Sequence, residues 1–278
     1  MKARVHVTLK PGVLDPQGQA IAHGSLGKLY RLLGRDIEAE QSAQKSLELS
    51  RRLRQPNLEI TSLLILGKAI ATQSESRYPE AKSYYRQALE LAEKFEHRQG
   101  IAEACWYLGD LYEELDRDNE AVELFERGLE VAQEIGASST TGNILRGIGN
   151  VYCKNGHLDG GQYYFEQWLQ LSQKHSDRPA QRLALEGLAG IADQQGDLQK
   201  AIGYEEQRLE ICRELNDEVG IAATTAYLGY GSMELGELAA ALQYLLEALK
   251  WQRKINDQKG IQISLANLEV LQNKLISE

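Results

Sequence analysis

A motif recurs six times along this chain at intervals of about 40 residues. A chain that repeats itself at that period folds as a stack of similar units, not around one central core. The repeated segments begin at Leu26, Leu66, Leu108, Ile148, Leu188 and Leu228. Each opens with Leu or Ile followed by a small residue. That small-residue column reads Gly27, Gly67, Gly109, Gly149, Ala189 and Gly229, with steps of 40, 42, 40, 40 and 40. The period predicts helix-turn-helix units in which each apolar face is buried against its neighbour.

Within a unit, the Leu–Gly pair and a residue three further on (Tyr30, Ile70, Tyr112, Tyr152, Ala192 or Ser232) fall on one face of a first helix. Glycine inside a helix costs roughly 0.5–1 kcal/mol relative to alanine. Its return in five of the six units therefore requires another helix to approach too closely for a side chain. Gly34, Asp116, Gly156, Gly196 and Gly236 then mark the turn, as residue types suited to a helix C-terminus. The second unit departs here: Ser74–Pro79 is two residues longer, and Pro79 is expected in the first turn of the next helix.

A second helix opens at Ala39, Ala81, Ala121, Gly161, Ala201 and Ala241. Eight residues on stand Leu47, Leu89, Leu129, Leu169, Leu209 and Leu249, and fourteen on stand Leu53, Phe95, Ile135, His175, Leu215 and Ile255. The spacing keeps both columns near one helical face, so His175 reads as a core or boundary histidine. Gly100, Gly220 and Gly260 introduce the first helices that follow. Residues 258–276 repeat only the first-helix pattern, and Gln262, Asn267 and Asn273 mark them as a C-terminal cap.

Bulk properties narrow the function classes. Of 278 residues, 42% are hydrophobic and 26% charged, values of a folded soluble chain. The net charge of −9 disfavours nucleic acid as a partner. Cys105, Cys153 and Cys212 show neither CxxC nor Cys/His spacing, which predicts no metal site, no disulfide framework and a reducing, cytoplasmic setting. No apolar run reaches membrane-spanning length and no signal-peptide pattern opens the chain, so no membrane partner is expected. The five histidines fall in different units, and there is no GxGxxG, P-loop or HExxH. The chain reads as a non-enzyme with no catalytic residues and no cofactor.

The Leu–Gly pair, the Tyr three residues on, the Ala opening the second helix and the aromatic four later (Tyr85, Phe125, Phe165) resemble the tetratricopeptide repeat family in its 40-residue variety. The proline that closes a standard unit is replaced by Arg51, Ala92, Ala132, Ser172, Cys212 and Gln252, so each second helix is expected to run on for about another turn and a half. The resemblance implies an all-α, right-handed superhelical solenoid over residues 18–276. Its six units would span about 18–56, 57–97, 98–137, 138–177, 178–217 and 218–257, with a cap at 258–276.

It also implies that first helices line a concave groove that binds a peptide segment of a partner protein. Carried onto this sequence, the groove positions include Lys28, Arg31, Thr61 and Lys68 from the first two units. The third gives Glu103, Trp106, Asp110, Glu113 and Glu114; the fourth gives Asn143, Arg146, Asn150, Cys153 and Lys154; later units add positions that include Glu186 and Tyr230. Asn143, Arg146, Asn150 and Lys154 form one polar stripe in which Asn can bond an extended backbone and Arg a carboxylate. Trp106 offers an aromatic anchor. The alternative for Arg146 is an internal pair with Glu103, Asp110 or Glu186.

The fifth unit is irregular. Glu205 and Arg208 stand in its aromatic and alanine columns and are spaced to form a local ion pair. Trp168 of the preceding unit is expected to fill the volume left by Ala189 and Ala192.

Residues 1–17 lie outside the repeat. Lys2–Lys10 alternates polar and apolar residues as a strand would, ahead of a Pro11–Gly12 breaker and an Asp15–Pro16 helix start. Residues 1–23 resemble the start of the small PurS-type subunit of formylglycinamide ribonucleotide amidotransferase, whose remaining strands are not found here. The segment reads either as a fusion junction or as a strand, with residues 3–10 disordered or pairing with a second copy to form a homo-oligomer. The expected function is a scaffold or adaptor. Alternatives are a peptide-responsive regulator whose solenoid changes curvature and, from the N-terminus alone, an accessory subunit in a purine-biosynthesis complex.

Overall fold

The computed structural model describes residues 15–277, and among them it contains thirteen α-helices and no strand. The N-terminal strand-like segment and its pairing through residues 3–10 lie outside the described residues. The chain forms two compact units, Met1–Gly147 and Ile148–Glu278. The first holds α1 (Pro16–Leu32), α2 (Asp36–Leu53), α3 (Pro56–Ala71), α4 (Tyr78–Lys94), α5 (Arg98–Glu114), α6 (Asp118–Glu134) and the first part of α7 (Ser138–Lys154). The second holds the rest of α7, then α8 (Leu158–Lys174), α9 (Arg178–Gln194), α10 (Leu198–Glu214), α11 (Glu218–Glu234), α12 (Leu238–Ile255) and α13 (Gln258–Ser277).

Short turns fold consecutive helices into hairpins. In the first unit α1 packs on α2 and also on α3, and α3 packs on α4 and also on α5. In the second, α11 packs on α12 and on α13. The first helices α1, α3 and α11 thus touch both their own partner and the first helix of the next hairpin.

The small-residue column exists because an aromatic ring occupies the space a side chain would need. A Cβ on Gly67 would lie 2.5 Å from Tyr85, one on Gly109 2.5 Å from Phe125, and one on Gly149 2.9 Å from Phe165. In the last repeat Leu245 takes the ring's place, 2.7 Å from a Cβ on Gly229. The column opening the second helices is sealed as well: Ala39, Ala81, Ala121, Ala201 and Ala241 are all fully buried.

Both kinds of turn use left-handed backbone. Within hairpins it falls at Gly34, Asp116, Gly156, Gly196 and Gly236, and between them at Arg54, Glu96, Gly136, Ser176, Asn216 and Asn256. In the second repeat a 3-10 turn at Glu75–Arg77 absorbs the extra residues and Pro79 sits in the first turn of α4. The following first helices are capped by side chains: His97, Asp177, Asp217 and Asp257 accept from the amides of Gly100, Ala180, Gly220 and Gly260.

One column is not core. Phe95, Ile135, His175 and Leu215 stand at the C-terminal ends of their helices and are exposed. His175 is thus a surface residue, because the helix ends at its position and the backbone turns away from the interior. The final helix, α13, buries Ser264 and Leu271 and exposes Ile263, Leu265 and Val270 along with Gln262 and Asn273.

Candidate functional site

The first helices of the first unit bring cations and aromatic rings together. α3 supplies Lys68, α5 supplies Trp106, Tyr107 and Asp110, and α7 supplies Arg146. The Tyr107 ring stacks on Trp106, with centroids 4.3 Å apart, and on Tyr85 of α4, with centroids 5.3 Å apart and planes 10° from parallel. Lys68 bridges the two chemistries. Its Nζ lies 5.7 Å from the Tyr107 centroid and 3.6 Å from Asp110 Oδ2.

Electrostatics follow from this enclosure. Burial pushes the Asp110 carboxyl above the ordinary value, against the pull of Lys68 and Arg146. Trp106 pulls in the same downward direction as a donor toward Asp110, although its buried Nε1 finds no partner of good hydrogen-bond geometry. Burial likewise pushes the Tyr107 hydroxyl up to about 12, with the Arg31 guanidinium of α1 acting in the opposite sense. Burial also raises the Tyr85 hydroxyl well above its ordinary value.

Of the residues assigned to a groove from sequence, the structure groups Trp106, Asp110 and Arg146 with Lys68. Arg146 lowers the Asp110 carboxyl electrostatically, against burial. Glu103 is half-buried and accepts from Gln99 Nε2 at 2.6 Å. Asn143 is half-buried on α7, and Glu114 is exposed at the end of α5, where it acts on Tyr78. Asn150 and Lys154 belong to the second unit, the first half-buried and the second exposed. Tyr107 went unnoticed in the sequence. Its signal is a broken column: one repeat later stands Gly147 and two later Gly187, each against a ring, whereas Tyr107 covers the Tyr85 ring with its own.

The second unit carries a different polar cluster. Arg208, with only 8% of its side chain exposed, pairs with Glu205 at 3.1 Å and with the exposed Glu186 at 3.0 Å. Arg182 reaches the same Glu186 at 3.7 Å. Glu186 is therefore committed to internal pairs. Burial raises the Glu205 carboxyl, opposed by Arg208. Tyr227 donates to Asp193 at 2.8 Å, while its neighbour Tyr230 is exposed. Trp168 is buried against Phe165, with ring centroids 6.1 Å apart. Among the described residues no group of His, Cys, Asp and Glu side chains could hold a metal ion, and no helix is long and apolar enough to cross a membrane.

These arrangements can stack against planar groups and pair with charges. The repeat itself is shared with known proteins. The tetratricopeptide repeat family model matches residues 18–94, 59–134 and 140–214. The model of phosphoribosylformylglycinamidine (FGAM) synthase matches residues 2–33. No curated protein sequence matches significantly. Among solved structures, BtubC (BKLC) from P. vanneervenii superposes with a TM-score of 0.69 at 19% identity, over 78% of this chain and 91% of that one. A Rap protein complexed with Competence and Sporulation Factor gives 0.67 at 14% identity, over 95% and 78%. Aspartyl phosphate phosphatase F from Bacillus subtilis gives 0.65 at 12% identity, over 93% and 70%. With the glycine–ring packing of its hairpins and a family match over most of its length, the chain belongs to the tetratricopeptide repeat family.

Proposed function

We propose that this protein is a non-catalytic scaffold or adaptor that binds a peptide segment of a partner protein along its first helices. The observation that carries this reading is the combination on the first unit of stacked rings (Trp106, Tyr107) with Lys68 and Arg146. Stacked rings and charged forks are the usual anchors of protein recognition. The paired substitutions Arg146→Ala and Asn150→Ala, with Trp106→Ala as a separate variant, test it. Affinity capture with mass spectrometry should identify a partner that is lost with these variants and retained with Lys94→Ala. Undiminished capture by all of them rejects the reading.

A second reading is a regulator that changes shape when a peptide binds. It draws on the similarity to a Rap protein whose structure contains Competence and Sporulation Factor. A saturable change in small-angle scattering on peptide addition separates it from a rigid scaffold. The FGAM synthase match overlaps α1, which packs on α2 and α3 as a repeat helix, and so it favours no purine-biosynthetic role.

A further inference from the structure

Two second helices of the second unit are locked by a bulky side chain lying over a glycine. Phe165 of α8 covers Gly149, and Leu245 of α12 covers Gly229. α10, between them in the chain, lacks this lock. At the same register it carries Glu205, and α9 carries Ala189 in the glycine column. Glu205 and Arg208 are both buried, 5% and 7% exposed. Arg208 Nη1 donates to both Glu205 oxygens at 3.1 Å, and Nη2 lies 3.0 Å from Glu186 of α9. The buried Arg208 Nε finds no acceptor among the described residues. The Thr224 hydroxyl of α11, fully buried near Glu205, also lacks a well-formed bond. Desolvation offsets much of the attraction within such a pair, and each unmet donor adds a cost that apolar packing avoids.

A second observation, independent of charge, falls on the same hairpin. A Cβ on Gly203 of α10 or on Gly190 of α9 would meet nothing within 4 Å. Elsewhere in the second unit, among the described residues, every helical glycine would meet a side chain. Glycine loosens a helix through backbone entropy, and at these two positions no close approach offsets that loosening. The walls on either side of α10 have support of their own. Phe165 lies against Gly187 of α9, and α11 packs on α12 and α13.

We infer that α10 is a yielding joint: it parts from α9 and opens locally while α8, α11 and α12 keep their packing. Opening separates Arg208 from Glu186 and uncovers Ile202 and Leu209, which are buried in the closed form. A change of form in the second unit is thereby concentrated at one helix. The inference stands apart from the peptide-binding reading and does not depend on it.

The test is native-state hydrogen exchange of the full chain, read by mass spectrometry across α8, α10 and α12. In the parent, the slowest amides of α10 should exchange at least about tenfold faster than those of α8 and α12. Gly203→Ala should slow exchange in α10 by about two- to fivefold and leave α8 and α12 unchanged. Ala189→Gly, Glu205→Phe and Arg208→Ala together are the second variant, expected to bring α10 to the protection of α8. Equal protection of the three helices in the parent overturns the inference, and this comparison needs no variant to fold. Slowing that is uniform over the three helices in both variants also overturns it, because the gain is then global.

Discussion

Gly109 lies flat against the ring of Phe125, so closely that a Cβ at position 109 would sit 2.5 Å from Phe125 Cε1. The ring cannot retreat. It is fully buried, and on its other side a Cβ on Gly147 would meet Cζ at 2.5 Å. Phe165 is held the same way between Gly149 and Gly187.

This relationship predicts opposite effects for the same substitution at two helical glycines. Gly109→Ala forces the trapped ring to move and should lower stability by about 1–3 kcal/mol, the usual range for overpacking. Gly190, with nothing within 4 Å of its would-be Cβ, should gain about 0.5–1 kcal/mol as Gly190→Ala. Urea denaturation of the two variants against the parent measures both signs.

Trp168 presents a simpler case. It is 4% exposed and packs on Phe165, so Trp168→Ala should lose about 3–5 kcal/mol as a large core truncation. A loss of unfolding free energy below about 1 kcal/mol in urea denaturation would show that the cavity collapses or that the indole contributes little.

The buried pair in the fifth repeat predicts strong non-additivity. Arg208→Ala leaves Glu205 buried without its counter-ion and should cost about 3–5 kcal/mol. Restoring the pattern of the other repeats with Ala189→Gly, Glu205→Phe and Arg208→Ala together should cost far less or even stabilise, since apolar replacement of a buried ion pair is often neutral or favourable by about 1–4 kcal/mol. Omitting Ala189→Gly should remove much of that benefit, because the column geometry puts residue 189 against the new ring. Thermal unfolding of the single, double and triple variants decides this.

Asp110 predicts a pH dependence with a definite sign. Its carboxyl is raised in the folded protein, so the folded state holds that proton more tightly than the unfolded chain does. The associated stability is present at low pH and is lost as pH rises through the raised value. Asp110→Asn lacks this dependence. Its stability relative to the parent should therefore improve as pH rises from about 4 to 7, read from urea midpoints at each pH. A relative stability that moves the other way would mean that Lys68 and Arg146 outweigh burial.

The repeat made much of the fold legible. A column of glycines at a 40-residue step implies a close approach, and aromatic residues stand at a constant register on the second helix to supply it. The turn glycines were legible because left-handed backbone narrows the choice of residue. His175 was misread because periodicity assigns a face but does not show where the helix stops, and at a C-terminus the same face opens to solvent.

The candidate site was legible only in part. Arg146, Trp106 and Asp110 came from groove register, and Lys68 stood among them. Their grouping did not, since it depends on how far each side chain reaches from one first helix to the next. Tyr107 illustrates the difference: only the packed hairpins reveal that its ring closes over Tyr85 and under Lys68.

The sequence by itself determined which positions are equivalent, because a periodic chain must bury the same face in every unit. It determined the glycine–ring contact, the sealed alanine column and the extra turn before Pro79. Tertiary structure alone decided which charges meet. Pairs such as Lys68 with Asp110 and Arg208 with Glu186 join different helices, and their partners are set by side-chain reach and by the desolvation each carboxylate undergoes there, neither of which is encoded in a period.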